Sequence, residues 1–314
     1  MEEIVYPEST DFSFLRLIEK NSSKIESNFN IIISLRGNKI MFDGNSKNTK
    51  RFKEYINQLQ NVYKQKKRMT SHDIDFSLSM AENDKIKEIQ EDIKQKNKLS
   101  VNNKQINPKT YNQKRFLNSI KKNDLTFAIG PAGTGKTFLA VGMALYYYLN
   151  KKVERIVLTR PVVEAGEKLG FLPGDIKQKI NPYLRPLYDS LYYFIGIEKT
   201  NELIDNQTIE IAPLAYMRGR TINNAFIILD EGQNTLNSQM KMFLTRFGEN
   251  SKVVVTADIS QIDLENPKKS GIFKAIDILS EIKGIGIIYL TKKDVVRHPL
   301  VQKIINAYEK QEKE

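Results

Sequence analysis

The stretch from Gly130 to Thr137 has the residue types and spacing of a phosphate-binding loop. It matches the pattern G-x-x-x-x-G-K-[ST] and lies between an apolar run and a long uncharged run. Glycines in such a loop let backbone N–H groups turn toward an anion, and the following helix adds the positive end of its dipole. Lysine then reaches the β- and γ-phosphates, and the threonine hydroxyl binds Mg²⁺. We expect nucleotide contacts at Gly130, Pro131, Ala132, Gly133, Thr134, Gly135, Lys136 and Thr137.

Two consecutive carboxylates supply the partner that a phosphate loop needs. Asp230 and Glu231 directly follow the apolar run 225–229. This is the carboxyl end of a predicted strand, where α/β sheets bind their ligands. We expect Asp230 to hold Mg²⁺ together with Thr137, and Glu231 to orient or deprotonate an attacking water. Lys136, Asp230 and Glu231 are therefore the central catalytic candidates.

Two further polar residues are candidates for contact with the γ-phosphate. Gln261 follows the apolar run 252–256 and is a candidate phosphate sensor. The alternative is a polar turn that caps a helix, with Asp258 or Ser260 as the N-cap. Arg297 is a candidate arginine finger, acting in cis or from a neighbouring subunit, and the alternative is a surface arginine at a helix end.

Strands and helices are predicted to alternate after residue 108. Nearly continuous apolar runs bounded by Gly, Asp or Pro are typical of parallel strands that are covered on both faces. The fold class is therefore α/β with a mainly parallel sheet. The predicted strands are 125–129, 155–159, 209–212, 225–229, 252–256 and 286–290, and the uncharged run 137–150 is predicted to form a buried helix.

The segment before residue 108 has a different pattern. Apolar runs on either side of Gly37 and Asn38 predict a β-hairpin, and residues 49–63 repeat apolar side chains with a helical period. We expect a small α+β domain over residues 1–75. Residues 76–108 are rich in Lys, Asn, Gln and Glu, which predicts a linker before a second domain over 109–314.

Composition excludes several kinds of chemistry. The chain of 314 residues has no Cys and two His, so it has no disulfide, no thiol nucleophile and too few histidines for a histidine-based metal site. The first residues lack the pattern of a signal peptide and no apolar run is long enough to span a membrane, so we expect a cytoplasmic protein. The net charge is +12, and residues 101–160 alone carry +9, which we expect to lie beside the nucleotide.

Several sequence blocks resemble the PhoH family of ATPases. They are the phosphate loop, the block Thr-Arg-Pro to Leu-Gly-Phe-Leu-Pro-Gly-Asp over 159–175, residues 217–221 and the block 230–235. The resemblance implies a RecA-like core, similar to the first motor domain of superfamily-one helicases, that uses ATP and Mg²⁺. It also implies that residues 1–75 are similar to a KH-like domain and that RNA is a partner. No G-x-x-G loop of the KH type is present in that segment.

The same resemblance implies roles for four more residues. Gln113 precedes the phosphate loop as the adenine-reading glutamine does in such helicases. Arg160, Arg218 and Arg220 then become contacts to the phosphates of nucleotide or RNA. For Arg160 the alternative is a salt bridge to an acid of the 164–175 segment.

The leading functional hypothesis is an ATPase that acts on RNA or is regulated by it. A helicase of this kind needs two RecA-like domains, whereas this chain has room for one, so we expect a homo-oligomer, head-to-tail or ring-shaped. An RNA-processing protein is a further candidate partner. Two alternatives remain, namely a P-loop kinase of a small acceptor and a nucleotide-gated interaction protein with little turnover.

Overall fold

An antiparallel sheet and its covering helices form the first unit of the computed structural model. The structure describes residues 2–7, 12–66, 69–95, 99–162 and 176–296, with single positions between 300 and 308. The sheet order is β1-β3-β2, and β2 and β3 form the predicted hairpin around Gly37 and Asn38. The elements are β1 (Glu2–Val5), α1 (Phe12–Lys20), α2 (Ser22–Phe29), β2 (Ile32–Arg36), β3 (Lys39–Asp43), α3 (Ser46–Lys66), α4 (Ser71–Glu82) and α5 (Ile89–Gln95).

The first part of the predicted linker, up to residue 98, belongs to this first unit. Chain contacts assign residues 1–98 and 109–111 to one compact unit, and 99–108 and 112–314 to another. Ile86, Ile89 and Ile93 are at most 6% exposed and pack into the same core as α3 and α4. The structure therefore differs from the predicted boundary at residue 75. Three isoleucines at helical spacing bury enough apolar surface to hold a segment that is otherwise polar.

The second unit is built on a parallel sheet. The described strands follow the order β11-β6-β10-β9-β7-β8, and every neighbouring pair is parallel. The elements are β4 (Ser100–Val101), β5 (Lys104–Gln105), α6 (Tyr111–Lys122), β6 (Leu125–Ile129), α7 (Lys136–Leu149), β7 (Arg155–Arg160), α8 (Ile176–Ile195), α9 (Ile197–Asp205), β8 (Ile209–Pro213), β9 (Ala225–Leu229), α10 (Asn237–Leu244), β10 (Lys252–Ala257), α11 (Gly271–Leu279) and β11 (Ile285–Tyr289).

Both faces of this sheet are buried, which explains its continuous apolar strands. In β9, Phe226 and Ile228 face a core that includes α7 and α8, while Ile227 and Leu229 face a core that includes α10 and α11. A strand covered on both sides needs an apolar residue at every position. The predicted α/β class is confirmed, and the predicted strands match the observed ones to within a residue at either end. No helix in the described ranges combines the length and apolar content needed to cross a membrane.

Candidate nucleotide site

The predicted phosphate loop joins β6 to α7 at the carboxyl edge of the sheet. Gly133 and Gly135 have φ values of 82° and 78°, which favour glycine because it has no Cβ. Gly130 approaches β11 so closely that a Cβ would lie 2.5 Å from the carbonyl oxygen of Leu290. Its N–H donates to the carbonyl of Ala257 at 3.0 Å, so the loop is attached to the strand ends on both sides of β6.

Side chains inside the loop fold back on its own backbone. The Lys136 ammonium donates to the carbonyls of Gly130 at 2.6 Å and Pro131 at 3.0 Å. Thr134 Oγ1 also donates to the Pro131 carbonyl, at 2.8 Å. Gln113, which is buried, donates through Nε2 to the carbonyl of Thr134 at 3.0 Å. The structure thus places Gln113 against the loop, and its reading of adenine stays a prediction.

Asp230 lies at the centre of a network that spans three neighbouring strands. Its Oδ1 accepts hydrogen bonds from Thr137 Oγ1 at 2.5 Å and from Thr256 Oγ1 at 2.6 Å. Its Oδ2 lies 3.5 Å from Arg160 Nη1. Carboxylate and hydroxyl oxygens are the donors that Mg²⁺ prefers, and Mg²⁺ commonly binds through one or two carboxylates and the phosphates of its nucleotide. Thr137 and Asp230 therefore form a donor set that suits this ion.

Glu231 has an unusual backbone and an unusual acidity. Its φ of 54° is left-handed, a conformation that costs a residue with a side chain about 1–3 kcal/mol and often marks functional sites. Burial raises the pKa of its carboxyl above the ordinary 4.5, and the negative charge of Asp230 raises it further. Arg160 Nη2 lies 3.9 Å from Glu231 Oε1. A carboxylate with a raised pKa is a better proton acceptor, as a general base requires.

Gln233, which was not among the predicted site residues, connects Glu231 to the next loop. Its side chain is fully buried, and its Nε2 donates both to Glu231 Oε2 and to the carbonyl of Gln261, the latter at 3.0 Å. Its Oε1 accepts from the backbone N–H of Asp258 at 2.9 Å. The sequence shows only that Gln233 lies two residues after Glu231. Its other partners, Asp258 and Gln261, lie more than twenty residues further along the chain.

Replacing Gln233 with Met tests its positioning of Glu231. The hydrogen bond from Gln233 lowers the pKa of Glu231, so its loss raises that pKa further. A general base works only when deprotonated, so the acidic limb of the pH–rate profile of nucleotide hydrolysis should move to higher pH. Gln239→Met, which removes an exposed glutamine from α10, is the control and should leave the profile unchanged. An unshifted profile in Gln233→Met would contradict the positioning role.

The remaining candidates lie in different environments. The side chain of Gln261 is exposed, and its loop is a turn in which Asp258 Oδ1 accepts from Ser260 N at 3.0 Å rather than a capped helix. Arg220 forms a bidentate ion pair with Glu210 at 2.5 and 2.7 Å, whereas Arg218 is exposed. Gln261 as a phosphate sensor and Arg218 and Arg220 as phosphate contacts stay predictions.

Arg160 lies at the site, but its expected alternative partners lie in a part of the chain outside the described residues. The described partners of Arg160 are Asp230 and Glu231, the two acids of the site. The acids of the 164–175 segment and Arg297 fall in the ranges that the structure does not describe. An arginine between the two acids is well placed to contact a phosphate group there.

The positive charge of residues 101–160 does not gather at the nucleotide site, contrary to our expectation. Lys136 and Arg160 lie there. Lys121 and Lys122 end α6, and Lys151 and Lys152 follow α7, so all four lie at the opposite, amino edge of the sheet. α7 runs from the phosphate loop to that edge, a distance of about 20 Å for its 14 residues. Sequence proximity to the loop was misleading because a helix separates the two ends.

The fold and the site together define a P-loop nucleoside triphosphatase of the α/β class. The phosphate loop follows one strand of a parallel sheet that is covered on both faces, and a buried carboxylate bonded to the threonine of that loop follows a strand two positions away. The family described as PhoH-like protein matches residues 105–309, and the chain belongs to that family.

Three relatives show how far this similarity extends. A PhoH-like protein of Bacillus subtilis (strain 168) is 46% identical over 299 residues, which cover 95% of this chain and 92% of the relative. A PhoH-like protein of Synechocystis sp. is 57% identical over 207 residues, 66% of this chain and 63% of the relative. Protein PhoH of Escherichia coli (strain K12) is 46% identical over 198 residues, 62% and 56% respectively. The first of these matches includes the N-terminal unit.

Proposed function

We propose that the protein hydrolyses ATP with Mg²⁺. The arrangement of Asp230 and Glu231 carries this proposal, because it pairs a carboxylate linked to Thr137 with one whose pKa is raised. Asp230 and Thr137 would hold Mg²⁺, which neutralises charge on the phosphates when bound. Lys136 would leave the loop carbonyls for the phosphates, and Glu231 would take a proton from the attacking water.

Product analysis with labelled ATP distinguishes hydrolysis from transfer to a small acceptor. An ATPase releases free phosphate in buffer alone, whereas a P-loop kinase accumulates label in an added metabolite pool. Release of phosphate that depends on Mg²⁺ supports the proposal. Label found only in an acceptor would replace it with the kinase alternative.

RNA is the proposed regulator or substrate of this ATPase. The net charge of +12 supports a polyanionic partner, and counterion release makes such binding strongest at low salt. We expect single-stranded RNA to bind and to raise ATP turnover at low ionic strength. The measurement is phosphate release across poly(A), ribosomal RNA fragments and DNA. Turnover that none of the RNAs changes would remove RNA from the proposal and leave the ATPase.

The ATP cleft is proposed to be completed by another copy of the chain. The described residues contain one parallel sheet with one phosphate loop, so a second RecA-like surface would come from a neighbouring subunit in a head-to-tail or ring assembly. Arg297 is the proposed residue that reaches across. Light scattering with and without ATP tests this, and a monomer under both conditions would contradict it.

A further inference from the structure

Five lysines surround one corner of the parallel sheet at its amino edge, far from the phosphate loop. We call this set, Lys121, Lys122, Lys151, Lys152 and Lys252, the basic edge. α6 ends at Lys122, α7 ends shortly before Lys151, and β10 begins at Lys252. Because parallel strands begin at one edge and their preceding helices end there, residues distant in sequence meet at this corner.

Contacts fix three of the five lysines of the basic edge at this corner. The backbone N–H groups of Lys151 and Lys152 donate to the carbonyls of Tyr148 and Tyr147, both at 2.9 Å, which fixes both residues against the end of α7. The ammoniums of Lys152 and Lys252 lie 5.2 and 5.9 Å from the centre of the Tyr147 ring. Lys252 Nζ also donates to the carbonyl of Asn123, just beyond α6, at 2.7 Å.

Acidic residues neutralise little of this charge. Asp124 lies 3.5 Å from Lys252, and Glu154 is exposed nearby. In the described part of the chain, Lys121, Lys122, Lys151 and Lys152 form no ion pair within 4.0 Å. Partial burial lowers the pKa of the otherwise exposed Lys121, and the charges of Lys152 and Lys114 lower it further, so the ammoniums repel one another. An anion bound between them would relieve that repulsion.

Helix dipoles account for only part of this arrangement. A lysine in the last turn of a helix is favoured by the negative end of the dipole, and this explains single lysines at the ends of α6 and α7. It does not explain why two helix ends and a strand start each bring lysines to the same corner. ATP is not the anion either, because the length of α7 separates the corner from the phosphate loop.

We propose that the basic edge binds the phosphate backbone of single-stranded RNA. The inference rests on the proposed RNA-linked function and assigns the RNA contact to the edge of the sheet opposite the nucleotide. Several ammoniums within one corner match a chain of repeated phosphates better than a single phosphate group. An acidic membrane is less suited, because a lipid-binding surface also needs exposed apolar side chains, and Leu149 is the one exposed large apolar residue within 111–155.

Neutralising the exposed lysines tests the assignment. The variant is Lys121→Gln/Lys122→Gln/Lys151→Gln, which leaves the Tyr147 contacts in place. Its matched control is Lys268→Gln/Lys269→Gln/Lys274→Gln, which lowers the net charge equally at exposed positions near and on α11. Full-length proteins are titrated with a short fluorescent single-stranded RNA, between about 50 and 200 mM salt. ATP turnover without RNA and binding to phosphatidylserine vesicles are measured on the same proteins.

We expect only the basic-edge variant to lose affinity, and only its affinity for RNA. The basic-edge variant should bind RNA at least about tenfold more weakly at low salt, with a log–log salt slope smaller by about 2, since each single-strand phosphate contact contributes about 0.7. The control should bind as wild type does, and turnover without RNA should be unchanged in both. Equal RNA binding by wild type and the basic-edge variant overturns the assignment while leaving the RNA-linked function in place. Equally weakened RNA binding in both variants, or binding to vesicles and not to RNA, also overturns the assignment. A wild type that binds no RNA overturns both the assignment and the RNA-linked function.

Discussion

Glu231→Gln is expected to bind ATP as wild type does and to hydrolyse it about 10²–10⁴-fold more slowly, the usual contribution of a positioned general base. The amide keeps the size of the side chain but cannot accept the proton of the attacking water. A single-turnover assay of phosphate release, combined with titration of a fluorescent ATP analogue, separates binding from hydrolysis. The same variant tests the alternative of a nucleotide-gated interaction protein. In that case the wild type itself would have negligible turnover, and Glu231→Gln would still bind a partner when ATP is bound. Retention of normal turnover by the variant would show that Glu231 is not the base.

The stability of this variant gives an independent check on the raised pKa. In the folded protein the pKa of Glu231 lies above its ordinary value, so folding favours the protonated form. The stability that the folded state gains by binding this proton more tightly is complete below a pH of about 4.5, and it is lost as the pH rises through the folded-state pKa. The ionised carboxylate therefore destabilises the wild type at neutral pH, and Glu231→Gln should have the higher Tm there. The difference should shrink as the pH falls toward 5, and a Tm difference independent of pH would contradict the shift.

Asp230→Asn is expected to abolish the Mg²⁺ dependence of ATP binding and to lower turnover by about a hundredfold or more, since metal stabilisation of the transition state is worth several kcal/mol. The amide still accepts hydrogen bonds from Thr137 and Thr256 but carries no charge for the metal or for Arg160. Titration of ATP affinity against Mg²⁺ measures the effect directly. Affinity that still rises with Mg²⁺ in the variant would mean that another group binds the metal.

Thr256→Val is the matched control for Asp230. It removes the other hydroxyl that donates to Asp230 Oδ1 but leaves Thr137 and the carboxylate in place. Loss of a hydrogen bond to a charged, buried group should cost about 1.5–3 kcal/mol of stability. The Mg²⁺ dependence of ATP binding should persist, measured by the same titration. The pair of variants thus separates support of the carboxylate from its binding of metal.

The sequence predicted the features of this protein that depend on local patterns. The phosphate loop and the strand that ends at Asp230 were recognisable because each function requires particular residue types at fixed spacing. The strands of the parallel sheet were recognisable because burial on both faces leaves a nearly continuous apolar run. These features also determine where the site lies, since the carboxyl ends of parallel strands share one edge.

Features that depend on contacts between distant residues could not be predicted. Gln233 has no local signal for its bridge to Gln261 and Asp258, because those partners belong to a different strand end. The 76–93 segment is polar overall, yet Ile86, Ile89 and Ile93 dock it in a core formed by earlier helices. The lysines of residues 101–160 were counted together, whereas the direction of α7 places them at opposite ends of the sheet.

The order of strands has a consequence for synthesis of the chain on the ribosome. β6, which leads into the phosphate loop, pairs with β10 and β11, and neither exists until more than a hundred further residues have been made. At about 5–20 residues per second, residues 130–289 take about 8–30 s to emerge. Until then a strand that is fully buried in the folded protein lacks its neighbours and is exposed to aggregation or to chaperone capture. In the folded protein Gly130 of the phosphate loop packs against the carbonyl of Leu290, so this contact of the loop forms only after β11 has been made.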